Sequence, residues 1–252
     1  MVGKVKKKID YDRAFWKMRS LRYNGLEWAN HRFYLDAFVK AGKFKNSDIV
    51  LDVGTGTGIV AHAVSPFVKE IIGLDKSQDM LKHSNWYGNM YFLRRDIRNT
   101  LFVDGVFDKV TCRLVFHHIL NCRQKAMDEC YRVLKKGGLM VFSEGVPPTK
   151  TVKKDYIKIF RLKEKRVTFM EEDLMDLMKK SGFKEIECEI AYLKKMSVKN
   201  WLMNSGLHKS VQEKIFLLHK NAANYFKRDY NMIETAGDCL IDMKMAIVIG
   251  KK

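Results

Sequence analysis

The sequence predicts an α/β protein with an open, mostly parallel sheet and helices on both faces. Three observations carry that expectation. Short apolar runs recur along the chain, and stretches with helical spacing lie between them. The first run leads straight into a glycine-rich turn, the junction expected between a strand and the helix that follows. Strands that alternate with helices at this pitch run parallel, because each crossover returns the chain in the same direction.

The elements follow in order. Residues 49–53 are a short continuous apolar run, the mark of a strand covered on both faces. Helical spacing over 59–68 stops near Pro66. Residues 70–75 are the second strand, and Ser77 is placed to cap the helix through Met80 and Leu81. Residues 90–93 and 106–112 are the third and fourth strands. A helix over about 123–135 ends at Gly137-Gly138, and 139–142 is the fifth strand. A helix over 171–181 is stopped by Gly182, and the strands 183–192 and 243–249 bring the sheet to seven. Two helical segments break the alternation: the aromatic-rich leader 11–43 and residues 198–228. Both are expected to cap the open edge of the sheet. The chain thus divides into a helical leader over 1–44 and one sheet domain over 45–252 with a helical insertion at about 197–230.

Composition narrows the class. Apolar residues are 46% of the 252, enough for a sizeable core, which excludes a disordered chain. No apolar run nears the ~20 residues of a membrane helix, and the charged residues 1–10 do not lead into a signal-peptide core. Five cysteines (Cys112, Cys122, Cys130, Cys188 and Cys239) are odd in number and lack metal-ligand spacing, which fits reduced thiols in the cytoplasm. The net charge of +18 would attract anions, nucleic acid among them. The basic runs at Lys4–Lys8, Lys135-Lys136, Lys153-Lys154 and Lys163–Arg166 are dispersed, however, and read as solvated faces rather than a nucleic-acid arm.

The glycine-rich turn Asp52-Val53-Gly54-Thr55-Gly56-Thr57-Gly58 permits left-handed backbone and a close approach of ligand to main chain. Asp75 ends the second strand about twenty residues on, where a carboxylate in a doubly wound fold accepts from ribose hydroxyls. The turn departs from the dinucleotide fingerprint, because Ile59 stands where its third glycine belongs. It departs from the phosphate loop as well, since no Lys follows Gly58. A nucleoside ligand without a pyrophosphate is therefore expected.

Five segments resemble, in order and spacing, the motifs of the class I S-adenosylmethionine-dependent methyltransferases. They are VLDVGTGTG, IIGLDKSQDML, LRRDIRN, GVFDKVTCRLVFHHI and RVLKKGGLMVFSE, spread over about residues 45–145. The small-molecule and quinone-type branch is the most similar. The resemblance implies a Rossmann-like sheet with an antiparallel last strand, and S-adenosyl-L-methionine as cofactor. It implies that Asp52, Gly54, Thr55 and Gly56 lie beside the methionine part and that Gly58 lets the helix pack closely. Asp75 would bind the ribose, Lys76 and Met80 would flank the adenine, and Asp96 with the Ile97 N–H would meet its edge. Arg113 would line the methionine end.

Methyl transfer needs an in-line nucleophile, and a base where the acceptor carries a proton. His117 and His118 follow the fourth strand and are the candidate bases. Glu144, at the end of the fifth strand, is a candidate to orient the acceptor. No third ligand accompanies the two histidines at suitable spacing, so no metal is expected. Under the cap, Tyr11, Phe15 and Arg19 share one helical face, and Trp16, Tyr23, Asn24 and Trp28 lie nearby. Such a face suits an aromatic or anionic small molecule, with Tyr11, Arg19 and Tyr23 as substrate contacts. Trp201, Asn204, His208, Phe216, Tyr225 and Tyr230 are further candidates in the insertion.

The expected function is methyl transfer to a small molecule by direct in-line displacement. The alternative is an RNA or protein methyltransferase, suggested by the charge. Against it, Cys112-Arg113-Leu114-Val115 stands where base-amine methyltransferases carry a proline-containing motif, and no RNA-binding module is visible. A binding subunit without transfer chemistry is opposed by the intact acids and glycines.

Overall fold

The computed structural model describes residues 11–252, with side chains from Ala14 onward. Helix α1 (Tyr11–Ser20), two short 3-10 turns and helix α2 (Arg32–Gly42) precede the sheet. The alternating core follows: β1 (Ile49–Val53), α3 (Ile59–Val64), β2 (Glu70–Asp75), α4 (Gln78–Leu81), β3 (Met90–Arg94), β4 (Phe107–Arg113), α5 (Arg123–Val133) and β5 (Leu134–Val146). The remainder is α6 (Lys153–Lys163), α7 (Glu171–Lys180), β6 (Lys184–Ser197), α8 (Val198–Met203), α9 (Lys209–Lys220), α10 (Asn224–Asp229), β7 (Ile233–Glu234) and β8 (Cys239–Lys251).

The strand order is β3-β2-β1-β4-β5-β8-β6, with β7 paired to β8. The first five strands are parallel, and β8 runs antiparallel between β5 and β6. The order reverses at β1, which places the carboxyl ends of β1 and β4 at the crevice where such sheets bind ligands. Alternation along β1 splits the core between the two faces. Val50 packs with Tyr34, Phe38 and Ile71, while Leu51 and Val53 pack with Phe116, Met127 and Phe142. Each such side chain contributes about 1.5–3 kcal/mol by leaving water.

The seven expected strands are present, and the short β7 adds an eighth. Both cap segments are helical, as expected. Two features differ. Helix α5 ends at Val133, before the glycines, and β5 begins at once at Leu134. Gly137 and Gly138 instead form a bulge: Leu134 pairs with Phe107, and pairing resumes only at Leu139 with Lys109. A Cβ on Gly138 would lie 2.9 Å from the Lys135 carbonyl oxygen and 3.0 Å from that of Asp108, so only glycine fits. Helix α6 was not anticipated. Its basic residues mask an apolar face carried by Tyr156 and Ile159, which are buried.

Candidate active site

The strand ends and the cap enclose one chamber of about 880 Å³. At one end the glycine turn leaves β1. Gly54 has φ +67°, and a Cβ there would sit 2.3 Å from Val115 Cγ2, so the residue is fixed by both conformation and space. Gly58, at φ +86°, precedes α3 with Phe92 beneath it; it lies off the chamber wall and serves packing. Gly54, Thr55 and Gly56 line the chamber.

Asp52 is buried at the end of β1. The Thr111 hydroxyl donates to its Oδ1 at 2.8 Å, while Oδ2 has no partner among the described residues. Burial pushes this carboxyl up to about 6, and its hydrogen bonds and Arg113 pull the other way. Arg113 ends β4 over the face of Tyr34. Its Nη2 donates to the Ala29 carbonyl at 2.9 Å, and its Nη1 is buried without a partner among the described residues. A buried acceptor and a buried donor left open on facing strand ends suit a ligand carrying both an ammonium and a carboxylate.

Asp75 faces the chamber and is also tied to the backbone. Its Oδ2 accepts from the Gly56 N–H at 3.0 Å and its Oδ1 from the Ser77 N–H at 2.7 Å. Burial raises this carboxyl against those two bonds. A carboxylate offers about four lone-pair sites, so acceptor capacity remains for a diol. Lys76 and Met80 line the wall beyond, and the Ser77 hydroxyl accepts from the Met80 N–H at 3.3 Å, the expected cap. Asp96 and Ile97 close this end. Asp96 is gripped by the fork of Arg98, at 2.9 Å to Nε and 2.6 Å to Nη2, which holds its carboxyl below the usual range.

The other end lies under α1, α6 and α8. Phe15, Trp16, Tyr23, Trp28, Phe160 and Trp201 supply aromatic wall, and of the insertion candidates only Trp201 lines it. The Tyr11 side chain lies outside the described residues. His117 and His118 sit on a 3-10 turn after β4, with ring centroids 4.0 Å apart. His118 stands edge-on to Trp16 at 4.7 Å. Burial holds the His118 imidazole near 3, and burial together with Arg166, His118, Lys163 and Arg19 holds His117 well below its ordinary value. Glu144 does not face the chamber. It is sealed behind His117, with Oε2 2.6 Å from Nδ1 and Oε1 accepting from the His117 N–H at 3.2 Å. The structure therefore places it against the histidine and not at the acceptor compartment where the sequence reading expected it.

The sequence reading missed the most highly charged part of this site. The run Lys163–Arg166, expected on a solvated face, turns inward. Glu164 sits with its side chain 3% exposed and meets Arg19 at 3.3 Å, Lys163 at 2.8 Å and Arg166 at 3.4 Å. Glu164 also corrects the expectation that no third metal ligand accompanies the histidines. One ligand atom each from His117, His118 and Glu164 lies within 4.8 Å of the others. Three cations on the same carboxylate oppose a divalent ion there. No signal in the sequence distinguished this run from a solvated one, because its burial depends on how α6 docks.

Comparison with known proteins places the fold and the family. Residues 51–142 match the family model of a methyltransferase domain. An uncharacterized methyltransferase of Bacillus subtilis, YcgJ, is 31% identical over 129 residues, 49% of this chain and 51% of that protein. Its crystal structure superposes with a TM-score of 0.78 at 22% identity, covering 88% of this chain and 99% of that one. A protein of Encephalitozoon cuniculi named as a methyltransferase is 30% identical over 176 residues, 64% of this chain and 79% of that protein. The demethylmenaquinone methyltransferase of Thermotoga maritima is 37% identical over 107 residues, 41% and 46% of the two chains. The matches thus span about half the length of the Bacillus and Thermotoga relatives. With a domain model matched over residues 51–142 and a 30%-identical methyltransferase relative covered over 79% of its length, the chain belongs to the class I S-adenosylmethionine-dependent methyltransferases.

Proposed function

We propose that the chain transfers a methyl group from S-adenosyl-L-methionine to a small-molecule acceptor held under the helical cap. One observation carries this reading: a single chamber joins buried, unpartnered polar atoms at the strand ends to an aromatic compartment beneath the cap. Asp52 Oδ2 is free to accept from the ammonium of the cofactor and Arg113 Nη1 to donate to its carboxylate. Asp75 takes the ribose hydroxyls, Lys76 and Met80 flank the base, and Asp96 with Ile97 meets its edge. When bound, the cofactor supplies a methyl carbon on a sulfonium, which needs a nucleophile in line about 3 Å away.

The chain's own contribution is orientation, exclusion of water and the handling of one proton. His117 is the group best held for that proton. A carboxylate at Nδ1 fixes its ring and stabilises the imidazolium as it forms. His118 has no such carboxylate and serves as wall. The demethylmenaquinone relative acts on a small molecule, in line with the covered compartment. Part of the positive charge that suggested the RNA or protein alternative, that of Arg19, Lys163 and Arg166, lines the chamber instead of an outer face. Among the described residues, no helix is long and apolar enough to cross a membrane.

The test is calorimetry with S-adenosylhomocysteine followed by turnover of a panel of phenols, thiols and amines. Saturable binding and methylation of a panel member are expected. Absence of S-adenosylhomocysteine binding would overturn the reading.

A further inference from the structure

We propose that the acceptor carries an anionic group, a carboxylate or a phosphate, which is seated among Arg19, Lys163 and Arg166 beside an aromatic or otherwise flat body. The inference rests on the methyl-transfer reading and names its substrate class.

Charge counting supports it. Three cationic side chains converge on Glu164, and all four side chains are at most 7% exposed. The other carboxylate nearby, Glu144, is engaged with the backbone and ring of His117. Burial and the neighbouring cations oppose protonation of both histidines. Among the described residues the cluster sets the guanidiniums of Arg19 and Arg166, with Lys163 when protonated, against one carboxylate, in a place with little water to screen them. Buried charge without a partner is costly, and a protein keeps it where a ligand completes the pairing. Arg19 marks the vacancy: its Nη1 reaches Glu164, but its Nε is buried with no partner among the described residues. Arg19 and Arg166 both line the chamber, so this open donor belongs to the ligand's side of the cluster.

The surroundings specify the rest of the molecule. Arg166 stacks over Phe160 at 4.2 Å, Lys163 lies 5.5 Å from the same ring, and Arg19 stands 5.6 Å from Phe15 and 5.7 Å from Tyr23. Ring faces stabilise the cations without neutralising them. They also leave flat apolar walls on either side of the charge. Lys163 registers the imbalance: burial first, then Arg19 and Arg166, bring its ammonium down to about 7, against the pull of Glu164. Its other close neighbours, His117, His118, Phe160 and Trp201, offer no second anion. An anion in the vacancy restores the lysine's proton.

The experiment uses the full chain saturated with S-adenosylhomocysteine and three probes of one shape: 2-naphthoate, 2-naphthyl phosphate and 2-naphthamide. Calorimetry should give at least about ten-fold tighter binding for one or both anions than for the neutral amide, the scale of a charge-assisted hydrogen bond. The tighter of the two anions identifies the group. In slightly alkaline buffers of differing ionisation enthalpy, binding of the anion should take up a proton and binding of the amide should not. Lys163→Met should abolish that uptake, and Arg166→Gln should remove most of the anion preference. Each should leave S-adenosylhomocysteine affinity within about two-fold, since neither is among the cofactor contacts. Equal affinity for all three probes in the loaded protein would overturn this inference alone. Failure to bind S-adenosylhomocysteine would overturn it together with the methyl-transfer reading.

Discussion

Oε2 of Glu144 lies 2.6 Å from Nδ1 of His117, and the carboxyl is sealed from solvent behind the chamber wall to which the histidine belongs. Burial raises the Glu144 carboxyl to about 7, while Arg166 and the amides of the turn pull it back. The carboxyl therefore titrates near neutrality, while the imidazole beside it is held well below its ordinary value by burial and the neighbouring cations. Glu144→Gln preserves shape but cannot take up charge. Turnover should fall about 10²-fold, with S-adenosylhomocysteine affinity retained, and the neutral limb of the pH–rate profile should disappear. His117→Ala should cost about 10²–10⁴-fold, and His118→Ala less than about ten-fold. The reverse order for the two histidines would reassign the proton.

The same pair sets a stability signature. The folded Glu144 carboxyl holds its proton to a higher pH than in the unfolded chain, about 7 against 4.5. The native state thus binds more protons over that window, and this contribution to stability falls as pH rises through it. Melting temperatures measured across the window should decline less steeply in Glu144→Gln than in the parent.

Glu129 titrates in the opposite sense. Both its oxygens meet Arg132, one accepts from the Thr100 hydroxyl and amide, and Arg132 leads in holding the carboxyl at about 2 against an ordinary 4.5. Its contribution is complete above about 4.5 and is lost as pH falls toward about 2. Glu129→Gln should lower the melting temperature at neutral pH, and the gap to the parent should close on acidification. A gap independent of pH would assign the loss to packing.

Asp75 is expected to act twice, on ligand and on loop. Asp75→Ala removes an acceptor for the ribose and frees the Gly56 and Ser77 amides together. Titration calorimetry should show S-adenosylhomocysteine binding weakened by about 1–3 kcal/mol. Hydrogen exchange at Gly56 and Ser77 should quicken even in the free protein, which loss of a ligand contact alone would not produce.

Gly54 tests the turn itself. Gly54→Ala forces a Cβ into Val115 and a side chain onto left-handed backbone, at about 1–2 kcal/mol for the conformation and about 1–3 for the overlap. Adding Val115→Ala relieves only the overlap. Denaturant melts should show the double variant recovering part of the loss, and full recovery would mean that the backbone carries no strain.

What the sequence disclosed and what it hid divide along range. Asp52, Gly54, Asp75 and Asp96 each sit at the end of one apolar run, so local pattern alone brought them to one edge. The partnership of Glu144 with His117 spans two strands, and only the parallel pairing of β4 with β5 turns it into a contact. Lys163, Glu164 and Arg166 are hidden for a stronger reason. A Lys-Glu-Lys-Arg string has the composition of a wet surface, and only the docking of α6 turns three of its four side chains inward. Helix α6 was hidden with them, since lysines at its exposed positions broke up the apolar signal of Tyr156 and Ile159.

Arg113 has one more consequence. One of its terminal nitrogens holds the carbonyl of Ala29 while the other is offered to the chamber. The segment that carries Trp28 over the second compartment is thus tied to the same guanidinium that faces the first. A substitution at Arg113 therefore reaches both compartments at once, because one side chain touches the segment before the sheet and the chamber wall together.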